Sequence, residues 1–78
     1  MRYNGFIVKW TMSTRKGLVL LPDKLLYLGL DRRDCECDAA VAAELDARGT
    51  FKPGDPPIPV STEADMTDRT AHRLKLRQ

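Results

Sequence analysis

Residues 6–21 have the sequence FIVKWTMSTRKGLVLL, and this stretch decides how the chain begins to fold. Residues 6–12 alternate with a period of two, which is typical of a half-buried β-strand whose one side carries Phe6, Val8, Trp10 and Met12. Residues 13–17 are polar and end in glycine, as a hairpin loop does. Residues 18–21 are apolar on both faces, so the return strand is buried on both sides or lies in an oligomer interface. The stretch predicts an N-terminal β-hairpin.

The next segment, residues 22–29, has two interpretations. Pro22 at a first helical position, Asp23 beside it and Gly29 at the end favour a short helix. Residues 25–28 also suit a third strand that follows a Pro-Asp turn. Of the two, the short helix is our prediction.

A second helix is predicted over residues 35–48, with Asp34 as its N-cap. Acidic side chains in its first turn suit the positive end of the helix dipole, and Gly49 fits the position after its last turn. An alanine-rich run propagates the helix. Its packing face is a narrow stripe formed by Cys37, Val41, Leu45 and Arg48.

The C-terminal third of the chain is rich in proline and poor in large apolar side chains. Five such side chains in residues 52–78 cannot offset the conformational entropy that ordering the segment would cost. Prolines at 56, 57 and 59 favour extended backbone, residues 61–71 a marginal helix, and the alternation over residues 72–77 a short terminal strand. We therefore expect an arm that becomes ordered on a partner.

These segments together predict an α+β fold. It consists of a small N-terminal β-hairpin packed with one or two helices, followed by an extended proline-containing C-terminal arm. The predicted division is a compact hairpin and helix core at residues 1–51 and an extended arm at residues 52–78, with a possible short helix and terminal strand.

Length and charge exclude several classes of protein. The 78 residues are too few for a two-domain enzyme, and the chain has no apolar run long enough to span a membrane. The N-terminus lacks the features of a signal peptide, so we expect a cytoplasmic or virion-associated protein. The net charge of +2 conceals a net +4 over residues 1–30, −3 over residues 31–48, and four basic side chains without an acidic one over residues 69–78. Such blocks can steer a charged partner.

No motif indicates an enzyme, a metal ion or a cofactor. Cys35 and Cys37 would point in different directions on a helix, so neither a shared metal ion nor a disulfide is expected. His72 is the only histidine, and no nucleophile or orienting group accompanies it in a catalytic pattern. The protein is predicted to be non-enzymatic.

Residues 17–30, GLVLLPDKLLYLGL, resemble the strand–proline–helix stretch of swapped-hairpin regulators of the AbrB type. The resemblance covers less than a fifth of the chain and implies a small DNA-binding transcriptional regulator. Leu26 and Tyr27 stand where that family usually carries arginines.

The main functional prediction is a structural or interaction protein whose arm orders on a protein partner, or on a second copy of the chain, within a larger assembly. A virion head or tail accessory component is one such assembly member. The predicted partner-binding residues are Ile58, Val60, Leu74, Leu76, Arg73, Lys75 and Arg77. The alternatives are the DNA-binding regulator and an inhibitor that binds a host protein through the acidic residues at 31–38.

Overall fold

The computed structural model describes residues 2–77, and this part of the chain is mostly β-structure. Six strands and one helix follow one another as β1 (Arg2–Thr11), β2 (Lys16–Leu21), β3 (Leu26–Asp31), β4 (Glu36–Cys37), α1 (Ala39–Arg48), β5 (Ile58–Asp65) and β6 (Thr70–Leu76). Strands hold 51% of the residues and the helix 13%. The predicted α+β fold, in which a hairpin packs with one or two helices, is therefore wrong.

The five long strands close into a barrel. Their order is β3-β2-β1-β5-β6, and each strand is antiparallel to the next. The ring is completed where β3 and β6 run parallel and meet at Gly29 and Thr70. At this junction the Gly29 amide donates a hydrogen bond of 2.7 Å to the Arg69 carbonyl. The short β4 pairs in parallel with β6 farther along that strand.

This connectivity is that of the OB-fold. Five strands form a Greek-key barrel, and the helix lies between the third and fourth barrel strands, here β3 and β5. In OB-folds the ligand face is the outer surface of the second and third strands, together with the loops that join the first strand to the second and the fourth to the fifth. A fold alone does not define a function, so the corresponding surface has to be judged by its own residues.

The barrel interior is filled by side chains from alternate strand positions. Ile7, Val19 and Leu28 lie opposite one another on β1, β2 and β3, and all three are fully buried. The other wall of the barrel contributes Ile58, Val60, Thr62 and Leu74. From α1, Val41 and Leu45 join the same core, as the predicted apolar stripe of the helix requires.

An extra residue in β1 changes which side chains face inward. Ile7 lies opposite Val19 but Lys9 lies opposite Leu18, so Val8 is the additional residue of a β-bulge. The alternation is thereby shifted, and Trp10 points into the core after the bulge as Ile7 does before it. The prediction that Phe6 and Trp10 share one face of the strand is therefore wrong.

The helix predicted over residues 22–29 is wrong as well. Residues 22–25 form a turn, and the chain continues as β3 from Leu26. The turn is fixed by hydrogen bonds from the Lys24 amide to the Leu21 carbonyl and from the Leu25 amide to the Pro22 carbonyl. The alternative that the sequence left open, a third strand after a Pro-Asp turn, is the observed structure. The helix implied by the AbrB-type resemblance after the proline is absent here for the same reason.

The helix α1 begins at Ala39, four residues later than predicted. Its N-cap is Asp38, whose Oδ1 accepts a hydrogen bond of 2.8 Å from the Val41 amide. Asp34 lies instead in a turn before β4, where its amide donates to the Asp31 carbonyl. The predicted end of the helix is confirmed, because Gly49 follows it with a φ of 66° and donates to the Leu45 carbonyl.

The predicted C-terminal arm of the fold is replaced by two barrel strands. β5 pairs with β1 over six residue positions and with β6 along its other edge, so its backbone groups are satisfied within the chain. The entropy argument failed because it treated residues 52–78 alone, whereas their apolar side chains complete a core begun by residues 7–45. The predicted terminal strand is present as β6, but residues 61–71 form no helix. The division at residue 51 stays a prediction.

Candidate nucleic-acid interface

The outer surface of the first three strands carries a row of apolar and aromatic side chains. Phe6 lies opposite Leu20, and Leu20 lies opposite Tyr27, so the three residues occupy one transverse row across β1, β2 and β3. Each member of the row is adjacent in sequence to one of the fully buried residues Ile7, Val19 and Leu28, whose side chain points to the opposite face of the strand. The row therefore faces outward. At a strand spacing of about 4.8 Å it is about 10 Å long.

The members of this outer row are accessible to different degrees. Tyr27 is 55% exposed, whereas Phe6 and Leu20 are half-buried. Leu18, two positions before Leu20 on β2, is also half-buried and extends the apolar surface towards the β1–β2 loop. A contiguous apolar surface on the outside of a barrel whose core is already filled is available for contact with a ligand.

Basic side chains lie near the outer row. Lys9 on β1, Arg15 and Lys16 in and after the β1–β2 loop, and Lys24 in the β2–β3 turn are all exposed. Within residues 2–77 none of these four groups has a carboxylate within 4.0 Å. The Lys24 ammonium group lies 5.5 Å from the centre of the Tyr3 ring. The basic block of residues 1–30 thus places Lys9, Arg15 and Lys16 towards the β1–β2 loop, and Lys24 beside Tyr3 at the β2–β3 turn.

Four of the six acidic side chains of residues 31–48 form ion pairs, three of them with arginines of the same block. Arg32 and Asp46 form a salt bridge of 2.9 Å, and Arg48 and Glu44 one of 3.4 Å along α1. Two further acids, Asp31 and Glu36, pair with arginines at 3.2 Å and 3.4 Å. An inhibitor that uses residues 31–38 as its binding surface would have to compete with these ion pairs. Only Glu36 pairs with an arginine from outside the block, so residues 31–48 keep a net negative charge.

A groove of about 500 Å³ continues the outer face where β3 meets β6. Gly17 and Gly29 line it on β2 and β3, and Thr70 lines it at the start of β6. Three carboxylates, those of Asp31, Asp34 and Asp68, also line the groove. Tyr27 and Gly29 are alternate residues of β3, so the groove lies beside the aromatic end of the outer row. At its rim, hydrogen bonds from the Arg33 side chain and amide lower the pKa of Asp31, which keeps that carboxyl ionised.

The predicted partner-binding residues divide into two groups in the structure. Ile58, Val60 and Leu74 are at most 1% exposed and belong to the barrel core, and Leu76 packs against it. Binding through these side chains would require the barrel to open. The basic members Arg73, Lys75 and Arg77 lie on the outside; Arg73 is paired with Glu36 and Glu63.

The outer row was missed by the sequence argument. Phe6 was assigned to the same face as Trp10, and Tyr27 to a helix. The sequence of β2 nevertheless contained a signal, because Leu18 and Leu20 alternate with Val19 and Leu21. When a strand that is apolar on both faces forms part of a closed barrel, one of its apolar faces must point outward. Recognising it required knowing that the barrel closes.

The two cysteines lie before α1 and not on a helix, Cys35 at a bend and Cys37 in β4. Cys35 is buried and Cys37 is half-buried. Hydrogen bonding to the Cys37 thiol and burial raise the pKa of Cys35, whereas the hydrogen bond from Cys35 lowers the pKa of Cys37. Within residues 2–77 no three Cys, His, Asp or Glu side chains come together as a metal-ion site.

Comparison of the chain with protein-family models, with curated proteins and with solved structures gave no match. The helix in the described part of the chain is neither long nor apolar enough to cross a membrane. The residues of the outer face are therefore the feature of the molecule that indicates a function.

Proposed function

We propose that the protein binds single-stranded nucleic acid on the outer face of β1, β2 and β3. The observation that carries the proposal is the row Phe6–Leu20–Tyr27, with an exposed aromatic ring at its end and four unpaired basic side chains near it. Proteins that bind single strands combine ring surfaces, on which bases stack, with a cationic groove that follows the phosphates. Here the aromatic ring of Tyr27 and four basic side chains belong to the same three strands and their loops, whereas the adjoining groove is lined by Asp31, Asp34 and Asp68.

The fold adds a second, weaker line of support. Leu20 and Tyr27 of the row lie on the two strands that form the ligand face of OB-folds, and the adjoining groove lies between the two loops that border that face. This is an analogy between folds and carries less weight than the residues themselves.

The direct test is the binding of a fluorescently labelled oligonucleotide of about 16 nucleotides, a length at the upper end of the sites covered by one OB-fold. If the four basic groups each neutralise one phosphate, the slope of log K against log salt is about −3. Affinity is then expected to fall about 50-fold between about 50 and about 200 mM salt. Fluorescence anisotropy measures both quantities.

Substitution of Tyr27 tests directly whether the aromatic ring contributes to binding. Tyr27→Ala removes an exposed ring from the outside of the barrel and is expected to weaken binding at least about fivefold, because stacking one base on an aromatic ring contributes about 1–3 kcal/mol. Tyr27→Phe retains the ring and should bind as the unmodified protein does. Equal affinity of Tyr27→Ala and the unmodified chain would contradict the proposal.

A second candidate is a subunit that binds a protein partner in a larger assembly. It is favoured by Leu25, which is 88% exposed and has a φ of 50°, in the left-handed region that non-glycine residues rarely adopt. A large apolar side chain that protrudes from a turn into solvent suits insertion into a pocket of another protein. Its assignment to a virion head or tail stays a prediction.

The two candidates differ in how they respond to salt and to Leu25→Ala. A complex held by apolar contacts persists at high salt and is lost in Leu25→Ala. A complex held through phosphates dissociates as salt rises and retains its affinity in Leu25→Ala. Size-exclusion chromatography of the native complex at low and high salt separates these outcomes.

A further inference from the structure

The outer row continues beyond Phe6 onto the other half of the barrel. Pro59 on β5 lies opposite Phe6, and the Arg77 amide donates a hydrogen bond of 3.0 Å to the Pro59 carbonyl. Arg77 comes directly after the last residue of β6, and its backbone lies level with the outer row. Its side chain reaches back across β5 to the Phe6 ring.

Three contacts hold the Arg77 side chain in one place. Its guanidinium carbon lies over the Phe6 ring, 4.9 Å from the ring centre. Its Nε donates to the Val60 carbonyl at 3.0 Å, and its Nη2 donates to the Gly5 carbonyl at 3.1 Å. A guanidinium that is fixed before a ligand arrives loses little conformational entropy on binding it.

Among the described residues, no ion pair neutralises the charge of Arg77. Within residues 2–77 no carboxylate lies within 4.0 Å of it, unlike Arg2, Arg32, Arg33, Arg48 and Arg73. The two carbonyls engage two of the five N–H groups of the guanidinium, which leaves others, including those of Nη1, to donate. Partial burial beside an aromatic ring strengthens its attraction for an anion, since fewer water molecules screen the charge.

We propose that Arg77 is the phosphate-anchoring residue of this interface, binding the backbone of a strand whose bases lie along the row from Phe6 to Tyr27. The inference rests on the proposed function and adds a residue outside the β1–β3 surface. It also requires that the anchoring group be a guanidinium and not an ammonium group. A lysine would keep the charge but could not bond two carbonyls and a phosphate oxygen in the same fixed geometry.

The test measures oligonucleotide affinity as a function of salt for the full-length protein and two variants of Arg77. Arg77→Gln removes one cation and is expected to weaken binding about 10-fold and to make the salt slope shallower by about 0.7. Arg77→Lys keeps the cation, so the slope should stay unchanged while affinity falls about fivefold. A general loss of structure would not separate slope from affinity in this way.

Phe6→Leu provides an independent check, because it removes the ring beneath the guanidinium and keeps the charge. It is expected to lower affinity without changing the salt slope. The matched control is Arg48→Gln. Arg48 also lies over an aromatic ring, that of Phe51 at 5.6 Å, and donates to the Pro56 carbonyl, but it lies at the end of α1. Its substitution should leave oligonucleotide binding unchanged, and thermal unfolding of every variant checks that the barrel is intact.

The outcomes separate this inference from the proposed function. If Arg77→Gln makes the salt slope shallower and Arg48→Gln does not change it, the assignment of Arg77 as the phosphate-anchoring residue is supported. If the unmodified protein binds the oligonucleotide and Arg77→Gln has the same affinity and slope, Arg77 is not an anchor and the proposed function stands. If the unmodified protein binds no oligonucleotide, both are wrong.

Discussion

At the scale of single residues, two glycines on neighbouring strands differ in how much space a side chain would have. A methyl group added at Gly17 would lie 2.1 Å from the Lys9 carbonyl oxygen, which belongs to the backbone and cannot move aside. A methyl group at Gly29 would meet only the Arg69 carbonyl oxygen, at an ordinary 3.6 Å. Gly17 therefore permits the close approach of β1 and β2 next to the bulge, while Gly29 leaves room in the groove.

We expect Gly17→Ala to lower the free energy of unfolding by about 3 kcal/mol, the upper range for inserting a group into a packed site. Gly29→Ala is the matched control and should change that free energy by no more than about 0.5 kcal/mol. Urea unfolding monitored by circular dichroism measures both. Similar losses for the two variants would show that the contact at Gly17 relaxes without cost.

Patterns of single residues predicted where a strand lies better than they predicted which of its side chains point inward. The alternation over residues 6–12 correctly indicated a strand, but the bulge at Val8 reversed the inward set, so the sequence placed Phe6 with Trp10. A period of two cannot reveal an inserted residue, because the insertion is defined by the partner strand. The outward position of Phe6, on which the proposed interface depends, was hidden for this reason.

At the scale of elements, the helix boundary shows how pairing between strands overrides local signals. Asp34 and Asp38 are equally good N-caps by type. Glu36 and Cys37 pair with Arg73 and Leu74 on β6, which keeps them extended and delays the helix until Ala39. Strand pairing likewise determines the conformation of residues 26–31, because their pairing with β2 outweighs the helix signals of Pro22 and Gly29.

The choice of cap leads to a direct prediction. Asp38→Ala removes the acceptor of the Val41 amide and should lower the free energy of unfolding by about 1 kcal/mol. Asp34→Ala, at the position that the sequence favoured, should change it by less than about 0.5 kcal/mol, because Asp34 is exposed and caps no helix. Chemical denaturation of both variants decides which carboxylate is the cap, and a greater loss in Asp34→Ala would reverse the assignment.

At the scale of the whole molecule, closure of the barrel gives the chain its surface. The block charges along the sequence become exposed basic side chains on β1–β3 and their loops, and a set of internal ion pairs near α1. The hairpin, α1 and the terminal strand were predicted from local pattern, since their signals lie within a few residues. The contacts between β1 and β5 and between β3 and β6 join residues more than 40 positions apart, and no local pattern specifies them.

Deletion of residues 52–78 tests this account of the whole molecule. The deletion removes two of the five barrel strands, including the partner of six consecutive β1 residues, and exposes the buried side chains Ile7, Val19 and Leu28 to water. We expect the truncated chain to be unfolded by circular dichroism and by the dispersion of its amide NMR signals, because the remaining core cannot offset the entropy of ordering. A chain lacking only residues 77 and 78 keeps all strands and is the control. A cooperatively folded fragment 1–51 would instead establish the predicted division into a core and an arm, and would show that β1–β3 and α1 are stable without closure.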